Sequence, residues 1–376
     1  MKSFLPHDIK DENRKIIFDI VMQHPELAKV EITKKTAMSF VTVSKIVQYF
    51  EQIGILVPTG ESRDGSGGLG RKRTVYRFNE NRYSSIGLQV IGGQITAVLV
   101  NLHCNVLYTY SLDTDIPVYN EEFIGVFKDI VCRMREKAEE TGSTIVGVGI
   151  GVDGAINIRN KTIRMRVQHD KERDYFFEPI IEKLKKTVGL PIILENDVNA
   201  STVAEYRKIE EQENGLEDLI HISLGEGVGA GIILNKKLHR GIHASAGELE
   251  YMCFDPDYIK APHSVGWLEG KLGMRALLNQ FNLSVDSGRE AFIEYVSKHL
   301  ALIITNINSL LDVGTIIISG KTAVLFPEEL LSRTQAYVKQ FTDWEPSIIV
   351  SECSHSTAVG AANLVLQDRL MKIISV

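Results

Sequence analysis

The chain has 376 residues, of which 44% are hydrophobic and 24% are charged. This composition is typical of a globular protein with two or three domains and excludes a disordered or fibrous chain. The sequence contains no run of about 18 apolar residues and no signal-peptide core near its N-terminus, so a cytoplasmic protein without a membrane partner is expected. The four cysteines are scattered without CxxC spacing, which argues against a disulfide framework.

Charge is distributed unevenly along the chain. Residues 1–82 contain 14 Lys and Arg against 10 Asp and Glu, a net charge of +4. The remaining residues contain 28 against 38, a net charge of −10. A basic head on an acidic body suggests a nucleic-acid-binding domain, although charge alone is equally compatible with chance unevenness.

Three short helices are predicted in the basic head. The first begins at Asp11 and has one apolar face, formed by Ile16, Ile17, Ile20 and Val21. The second covers the segment EITKKTAM. The third opens on Ser39, a favourable N-cap, and stops before Gly54, a favourable residue just past a helix end. Apolar residues recur in the third helix with the spacing i, i+3, i+4, i+7, which predicts one buried stripe. This stripe comprises Val43, Ile46, Val47 and Phe50.

A β-hairpin is predicted after the third helix. Strand-like runs at 55–58 and 74–78 flank a tip rich in Gly, Ser and charge. Three helices followed by a hairpin is the order of a winged helix-turn-helix, whose third helix enters a DNA groove and whose wing contacts phosphates. A small helical domain with a solvated loop is the alternative. The predicted DNA contacts are Ser39, Phe40, Val41, Ser44, Lys45 and Gln48 on the helix, and Arg71, Lys72 and Arg73 on the wing.

The body repeats one plan twice. A strand, a glycine turn, a second strand, a short turn and a third strand begin at about Tyr83, and the same order returns from Leu219. Each copy is followed by segments in which apolar residues recur with helical spacing. This is the duplicated α/β plan of the ribonuclease H-like, actin-like ATPases, in which ligands bind between two lobes. We assign 1–82 to the DNA-binding domain and linker, 83–197 to the first lobe with a completing helix at 357–376, and 198–356 to the second lobe.

The segment LENDVNAS places Asn196 and Asp197 directly after an apolar run. A carboxylate at the end of a buried strand is suited to act as a general base on a substrate hydroxyl. It is equally suited to accept hydrogen bonds from a sugar without any reaction. The residues of this segment alone leave both interpretations open.

Seven collinear motifs cover nearly the whole chain: ITKKTAMSFVTVSKIV, GGLGRK, GVGIGVDGAI, LENDVNA, SLGEGVGAGIILNKKLHRGIHASAGELEY, GWLEG and STAVGAANL. In order and spacing they resemble the ROK family, which groups bacterial transcriptional repressors with sugar kinases. The resemblance implies a sugar-kinase-like body and a sugar pocket. The sugar-contact positions that it implies are Gly154, Asn196, Asp197, Glu248, Tyr251 and Glu269.

The sequence departs from the family pattern at three places. Gln89 occupies the position of an Asp that places metal and phosphate in the family's kinases, and a neutral amide is a poor substitute for a carboxylate near Mg²⁺. Lys321 replaces a glycine of the nucleotide-side turn. Tyr251 replaces the His of the family's zinc site, and the loop that follows lacks the family's cysteine cluster. These departures predict no catalytic residues, no ATP and no zinc.

We therefore interpret the sequence as a sugar-responsive transcriptional repressor with a catalytically silent effector domain. Its expected partners are a double-stranded DNA operator, a sugar or sugar derivative, and a second copy of the chain in a homodimer or a dimer of dimers. The main alternative is an active ATP-dependent sugar kinase with an N-terminal extension. A regulator whose main partner is another protein is a third reading.

Overall fold

The computed structural model describes residues 6–62, 73–118, 120–157, 159–167, 171–211, 215–262, 264–351 and 355–375. Within these ranges the chain forms an N-terminal domain and two α/β lobes. Each lobe has its own apolar core, and a third core is shared by the N-terminal domain and the first lobe. No helix in the described part of the chain is long and apolar enough to cross a membrane.

The N-terminal domain consists of three helices and a three-stranded sheet. Its elements are α1 (Pro6–Met22), β1 (Glu26–Ala28), α2 (Lys29–Thr36), α3 (Phe40–Gln52), β2 (Leu56–Ser62) and β3 (Arg73–Phe78). The sheet order is β1-β3-β2. The Ser39 hydroxyl accepts a hydrogen bond from the Thr42 backbone amide at 3.1 Å, so it caps α3 as the sequence predicted. The predicted winged helix-turn-helix is present.

Three details of this domain differ from the sequence-based prediction. Helix α1 begins at Pro6 rather than at Asp11, because proline is well suited to the first turn of a helix. Its buried face includes Phe18, which packs edge-on against Phe78 of the wing, and leaves the predicted core residue Ile16 exposed. Strand β1 was not predicted, since three residues stay extended only through their pairing with β3.

The first lobe is a five-stranded mixed sheet with helices on its faces and a small side sheet. Its elements are β4 (Tyr83–Ile91), β5 (Gln94–Val100), β6 (Val106–Asp113), α4 (Phe123–Glu140), β7 (Thr144–Val152), β8 (Ala155–Asn157), β9 (Thr162–Val167), β10 (Lys171–Phe176), α5 (Glu178–Val188) and β11 (Ile192–Asn196). The main sheet has the order β11-β7-β4-β5-β6, with β8, β9 and β10 forming the side sheet.

The second lobe repeats this sheet. Its elements are α6 (Asp197–Glu210), β12 (Leu219–Leu224), β13 (Val228–Leu234), β14 (Lys237–Leu238), a 3₁₀ turn (Leu249–Tyr251), α7 (Trp267–Leu272), α8 (Met274–Gln280), α9 (Asp286–Leu311), β15 (Thr315–Ser319), α10 (Pro327–Phe341), β16 (Ser347–Val350) and α11 (Ser356–Ile374). The order β14-β13-β12-β15-β16 matches the first lobe strand for strand, with an antiparallel trio followed by two parallel strands. The predicted duplicated ribonuclease H-like fold is confirmed.

Two helices cross between the lobes. Helix α6 follows the last strand of the first sheet but packs on β12 and β13, whereas α11 follows the last strand of the second sheet but packs on β4, β5 and β7. The two helices also pack against each other. Gly360 permits their close approach, because a Cβ there would lie 1.7 Å from the Ala200 carbonyl oxygen. The N-terminus of α6 therefore lies at the junction of the lobes.

The N-terminal domain is fixed to the first lobe by a shared apolar core. Tyr83, Leu366 and Ile374 of the body belong to the same cluster as the buried faces of α1 and α3. The Arg82 side chain also donates a hydrogen bond to the Ile53 carbonyl at 2.7 Å, at the end of α3. Burial of this apolar surface holds the N-terminal domain in one orientation on the body.

Candidate functional site

Asn196 organises the floor of the cleft between the lobes. It ends β11 and caps α6, its side-chain oxygen accepting from the Asn199 amide at 3.0 Å. Its side-chain nitrogen donates to the Gly154 carbonyl and to the Asp197 carboxylate, both at 3.0 Å. Both amide hydrogens are therefore used within the protein, and only the oxygen retains accepting capacity. Asn196 orients Asp197 and Gly154, and its contact with a ligand is limited to that oxygen.

Asp197 is the first residue of α6 and is half-buried. Burial, together with the nearby negative charges of Asp153 and Glu248, raises the pKa of its carboxyl group to about 7, against hydrogen bonds from backbone amides that lower it. The group is thus close to half protonated at neutral pH. The cleft concentrates carboxylates at the N-terminus of one helix, whose dipole favours negative charge there.

The raised pKa predicts a pH-dependent stability effect for Asp197→Asn. The folded protein retains a proton that the unfolded chain, with an ordinary Asp pKa of 3.8, releases, so Asp197 lowers stability progressively as pH rises from about 4 to about 7. Between pH 5 and pH 8, the free energy of unfolding of the Asn variant should rise relative to that of the wild type by about 1–3 kcal/mol, as measured in urea titrations. Asp286→Asn, at the exposed first position of α9, is the matched control. Parallel pH profiles for the two variants would contradict the assignment.

The second lobe brings two more carboxylates to this end of the cleft. Gly247 has a φ of 91° and approaches β13 so closely that a Cβ would lie 1.9 Å from the Ala230 carbonyl oxygen, which docks the loop carrying Glu248. Buried Glu269 accepts a hydrogen bond from the Val228 backbone amide at 3.3 Å. Since Val198 packs beside Gly229, Asp197 lies along the same stretch of β13.

Tyr251 and Trp267 lie at the two ends of the loop that follows Glu248. Tyr251 ends the 3₁₀ turn with 44% of its surface exposed. Trp267 opens α7 and meets the Phe254 ring edge-on at a centroid distance of 5.6 Å. This aromatic contact holds the loop by packing. Gly154, Asn196, Asp197 and Glu248 are thus brought together, and Glu269 of α7 is hydrogen-bonded to the first residue of β13.

The loop residues do not fit a tetrahedral zinc site. The Cys253 thiol is exposed and donates to the Asp255 carbonyl at 3.2 Å, and a tyrosine stands at the position of the family's histidine. His263 lies outside the described residues. Among the residues that are described, no three His, Cys, Asp or Glu side chains are grouped to hold a metal ion. Structural zinc requires about four nitrogen or sulfur ligands, and this donor set does not provide them.

A buried ion pair beneath the cleft was not predicted. Oε2 of Glu195 accepts from Nε of Arg240 at 2.8 Å and also from its Nη2, so two charge-assisted hydrogen bonds meet at one oxygen. The same carboxylate accepts from the Asn196 amide and from the Asn199 side chain at 3.1 and 3.2 Å. Arg240 belongs to the second lobe, so the pair joins β11 to the loop that leads to Glu248. The available sequence signal was a charged residue inside the otherwise apolar run LPIILE.

The nucleotide-side positions lie at the strand ends facing the same cleft. Gln89 is half-buried in β4, in register with Thr96 and Gly151. Lys321 is exposed and pairs with Glu226 at 3.4 Å. Behind them, fully buried His221 makes hydrogen bonds with Thr202 of α6 at 3.0 Å and with Ser319 of β15 at 2.6 Å. Burial lowers the pKa of His221 to about 4, so the ring is neutral and acts as a structural bridge.

The predicted DNA-contacting side chains of α3 lie on its outward face. Phe40 and Val41 are 53% and 63% exposed, so two adjacent apolar side chains face solvent at the start of α3. Lys45 and Gln48 are exposed one and two turns further on, and Ser44 is partly exposed. Arg73 begins β3, whereas Arg71 and Lys72 lie outside the described residues.

The chain is similar to known repressors and kinases. It is 25% identical to the xylose repressor of Caldicellulosiruptor bescii over 283 residues, which is 75% of this chain and 69% of that protein. The crystal structure of a ROK family transcriptional regulator, a homologue of the E. coli MLC protein, superposes with a TM-score of 0.78 at 18% identity, covering 97% of this chain and 99% of that one.

Kinases match the body of the chain. A ROK family glucokinase from Streptomyces griseus, in complex with glucose and AMPPNP, superposes with a TM-score of 0.56 at 25% identity. That comparison covers 76% of this chain and 99% of the glucokinase. The ROK family sequence profile matches residues 85–368, which include both lobes and most of α11. With both lobes matched in this way, the chain belongs to the ROK family.

Proposed function

We propose that the protein is a sugar-responsive transcriptional repressor. The observation that carries this proposal is the winged helix-turn-helix fixed on a ROK body, with Phe40, Val41 and Lys45 presented outward from α3. Exposed apolar and cationic side chains on a recognition helix suit thymine methyl groups, base edges and phosphates. The MLC homologue matches this chain at nearly full length, and the name of the Caldicellulosiruptor bescii relative is that of a xylose repressor. A protein that binds an operator works in the cytoplasm.

The effector is a neutral sugar or sugar derivative held in the cleft at the start of α6. Asp197, Glu248 and Glu269 provide oxygen acceptors for hydroxyl groups, and Tyr251 provides an aromatic edge. A cleft lined by several carboxylates repels a phosphorylated ligand unless cations offset the charge. Lys321, on the nucleotide side of the cleft, is already paired with Glu226. These charges favour an uncharged ligand.

The body works as a sensor without catalysis. Phosphoryl transfer depends on metal and cationic clamps, and Gln89 supplies a neutral amide instead of a charged carboxylate at the position that the family's kinases give to Asp. The competing function is an active sugar kinase, which one observation favours. The pKa of about 7 for the Asp197 carboxyl group is suited to a general base. A base alone contributes about 10²–10⁴-fold, and the proposal assigns Asp197 to ligand binding.

A thermal-shift panel distinguishes these functions. The full-length protein is heated with neutral sugars and sugar phosphates, each with and without ATP and Mg²⁺. A repressor of this kind should be stabilised by at least one neutral sugar, and ATP-Mg²⁺ should add nothing. Stabilisation that requires ATP-Mg²⁺, with release of ADP, would establish the kinase. No shift with any sugar would refute the proposal and favour a regulator controlled by another protein.

The protein is proposed to bind no zinc and no ATP. After dialysis against a weak chelator, elemental analysis should find far less than one zinc per chain, because Tyr251 and the exposed Cys253 leave too few ligands. A ROK protein with the complete His and Cys ligand set, dialysed in parallel, is the control. About one zinc per chain would show that other residues complete the site.

The protein is proposed to bind a palindromic operator as a homodimer or a dimer of dimers, because two recognition helices reach half-sites about one helical turn apart. Lys45→Ala should weaken operator binding by about 1–3 kcal/mol and relax base preference at one position of each half-site. Lys137→Ala, which removes the same charge from α4 of the body, should have little effect. Equal operator affinity of the two variants in an anisotropy titration would remove Lys45 from the interface.

A further inference from the structure

Helix α11 begins at the sugar cleft. The hydroxyl of Thr357, its second residue, donates a hydrogen bond to the Asp197 carbonyl oxygen at 3.3 Å. Thr357 is buried, so this bond is shielded from water. The backbone of the residue proposed to bind the sugar is thereby attached to the first turn of α11. A ligand that shifts Asp197 acts directly on this helix.

The first two turns of α11 are packed backbone against backbone on the sheet of the first lobe. A Cβ on Gly87 would lie 1.8 Å from the Ala358 carbonyl oxygen, and one on Gly149 would lie 1.9 Å from that of Ala361. The Ser85 hydroxyl donates to the Ala362 carbonyl at 2.9 Å. These contacts leave no layer of side chains to absorb a displacement. The 19-residue helix, about 28 Å long, would therefore transmit a displacement of its first turn along its whole length.

The carboxyl end of α11 is bound by the DNA-binding domain. The Tyr49 hydroxyl, on α3, donates to the Ile373 carbonyl at 2.6 Å, and buried Arg14 of α1 donates to the Ile374 carbonyl at 2.8 Å. The Arg14 guanidinium also stacks on the Tyr49 ring, 4.1 Å from its centroid. These groups satisfy carbonyls that the end of a helix leaves unpaired, and the cation complements the helix dipole.

Helix α6 makes a second connection in the same direction. It begins at Asp197, and near its other end the Arg207 guanidinium donates to the Met22 sulfur of α1 at 3.5 Å. Burial raises the pKa of Asp19 on α1, and the charges of Lys15 and Arg207 oppose that rise, which places Arg207 close to this carboxylate as well. Two packed helices thus run from the cleft to the DNA-binding domain.

We propose that Thr357 and Tyr49 are positioning residues that couple the sugar cleft to the recognition helix through α11. Neither residue is assigned to the sugar or the DNA, and each binds a backbone carbonyl at one end of the pathway. The inference rests on the proposed function, since it needs a sugar and an operator to couple. Allosteric coupling of this kind commonly changes affinity by about 5–150-fold.

The test compares operator affinity with and without a saturating sugar taken from the thermal-shift panel, for full-length Thr357→Val, Tyr49→Phe and the double variant. Each single change removes one hydroxyl and keeps the apolar bulk. Each should reduce the ratio of the two operator affinities by about two- to tenfold. The sugar Kd without DNA should stay within about threefold of the wild type, since truncations that leave the binding groups in place cost little. Because both changes interrupt one element, the double variant should lose little more than the more severe single variant.

Tyr76→Phe, which removes a hydroxyl from the core of the same DNA-binding domain, is the control and should keep the full sugar response. A full response in both test variants would overturn the role of α11 and leave the repressor function standing. Losses that multiply in the double variant would also overturn a single path through α11. Wild-type protein that binds sugar and operator without any mutual effect would refute the repressor function itself.

Discussion

Asp197→Ala is expected to abolish the effect of sugar on operator binding while leaving operator affinity without sugar nearly unchanged. The carboxylate lies in the cleft at the start of α6, whereas the DNA-binding surface lies on α3 at the other end of α11. A charged acceptor contributes about 1.5–3 kcal/mol to each hydrogen bond that it accepts. Loss of a group that serves two sugar hydroxyls should weaken sugar binding by about ten- to more than a hundredfold.

Isothermal titration with the sugar and anisotropy titration with the operator measure the two effects separately. Asp197→Asn keeps an acceptor at the same place without the charge and should fall between the wild type and the Ala variant. Wild-type affinity for the sugar should also increase from pH 5.5 to pH 8, as the group with a pKa of about 7 loses its proton and becomes a better acceptor. Unchanged sugar affinity in Asp197→Ala would place the ligand elsewhere.

Arg240→Ala is expected to be the most destabilising of the substitutions considered. It leaves the Glu195 carboxylate, whose side chain is 5% exposed, buried without its cation. Breaking a buried pair on one side costs about 3–5 kcal/mol, and because Arg240 is 30% exposed we expect the lower part of that range. The thermal midpoint should fall by roughly 5–10 °C. Sugar affinity should fall too, because the loop that carries Glu248 loses its connection to β11.

The exposed pair between Lys339 and Glu345, at 3.1 Å, provides the control. Lys339→Ala should cost less than about 1 kcal/mol, since exposed ion pairs contribute little. Adding Glu195→Gln to Arg240→Ala should restore part of the stability by removing the unpaired charge. If Arg240→Ala melts like Lys339→Ala, the pair does not hold the lobes together.

The architecture was predictable from the sequence because it depends on the spacing of apolar residues and on the positions of turn residues. Strand, glycine turn and strand occur twice with the same spacing, and Ser39 and Gly54 mark the ends of α3 by local chemistry. Strand β1 was not predictable, since its three residues are extended through their pairing with β3 of the wing. The start of α1 at Pro6 was missed although proline favours the first turn of a helix. The spacing of apolar residues in α1 predicted that Ile16 is buried. In the structure Phe18 is buried against Phe78 of the wing, and Ile16 is exposed.

The site was predictable only as a set of positions. Motif order placed Asn196, Asp197 and Glu248 near one cleft, and the structure brings them together. Spacing could not reveal that both amide hydrogens of Asn196 are used internally, or that Glu195 meets Arg240 across the lobes. These are long-range geometric facts. The bond between Thr357 and the Asp197 carbonyl, 160 residues apart, is another of this kind.

A sugar in the cleft is proposed to control binding to DNA without being phosphorylated. The most direct measurement is the affinity of the full-length protein for a DNA fragment that it selects from a random pool, titrated with and without the stabilising sugar, while ADP formation is followed in the same samples supplied with ATP and Mg²⁺. We predict that the sugar lowers operator affinity by about fivefold or more and that no ADP forms. Operator affinity that does not respond to the sugar, or ADP production that depends on it, would contradict the account.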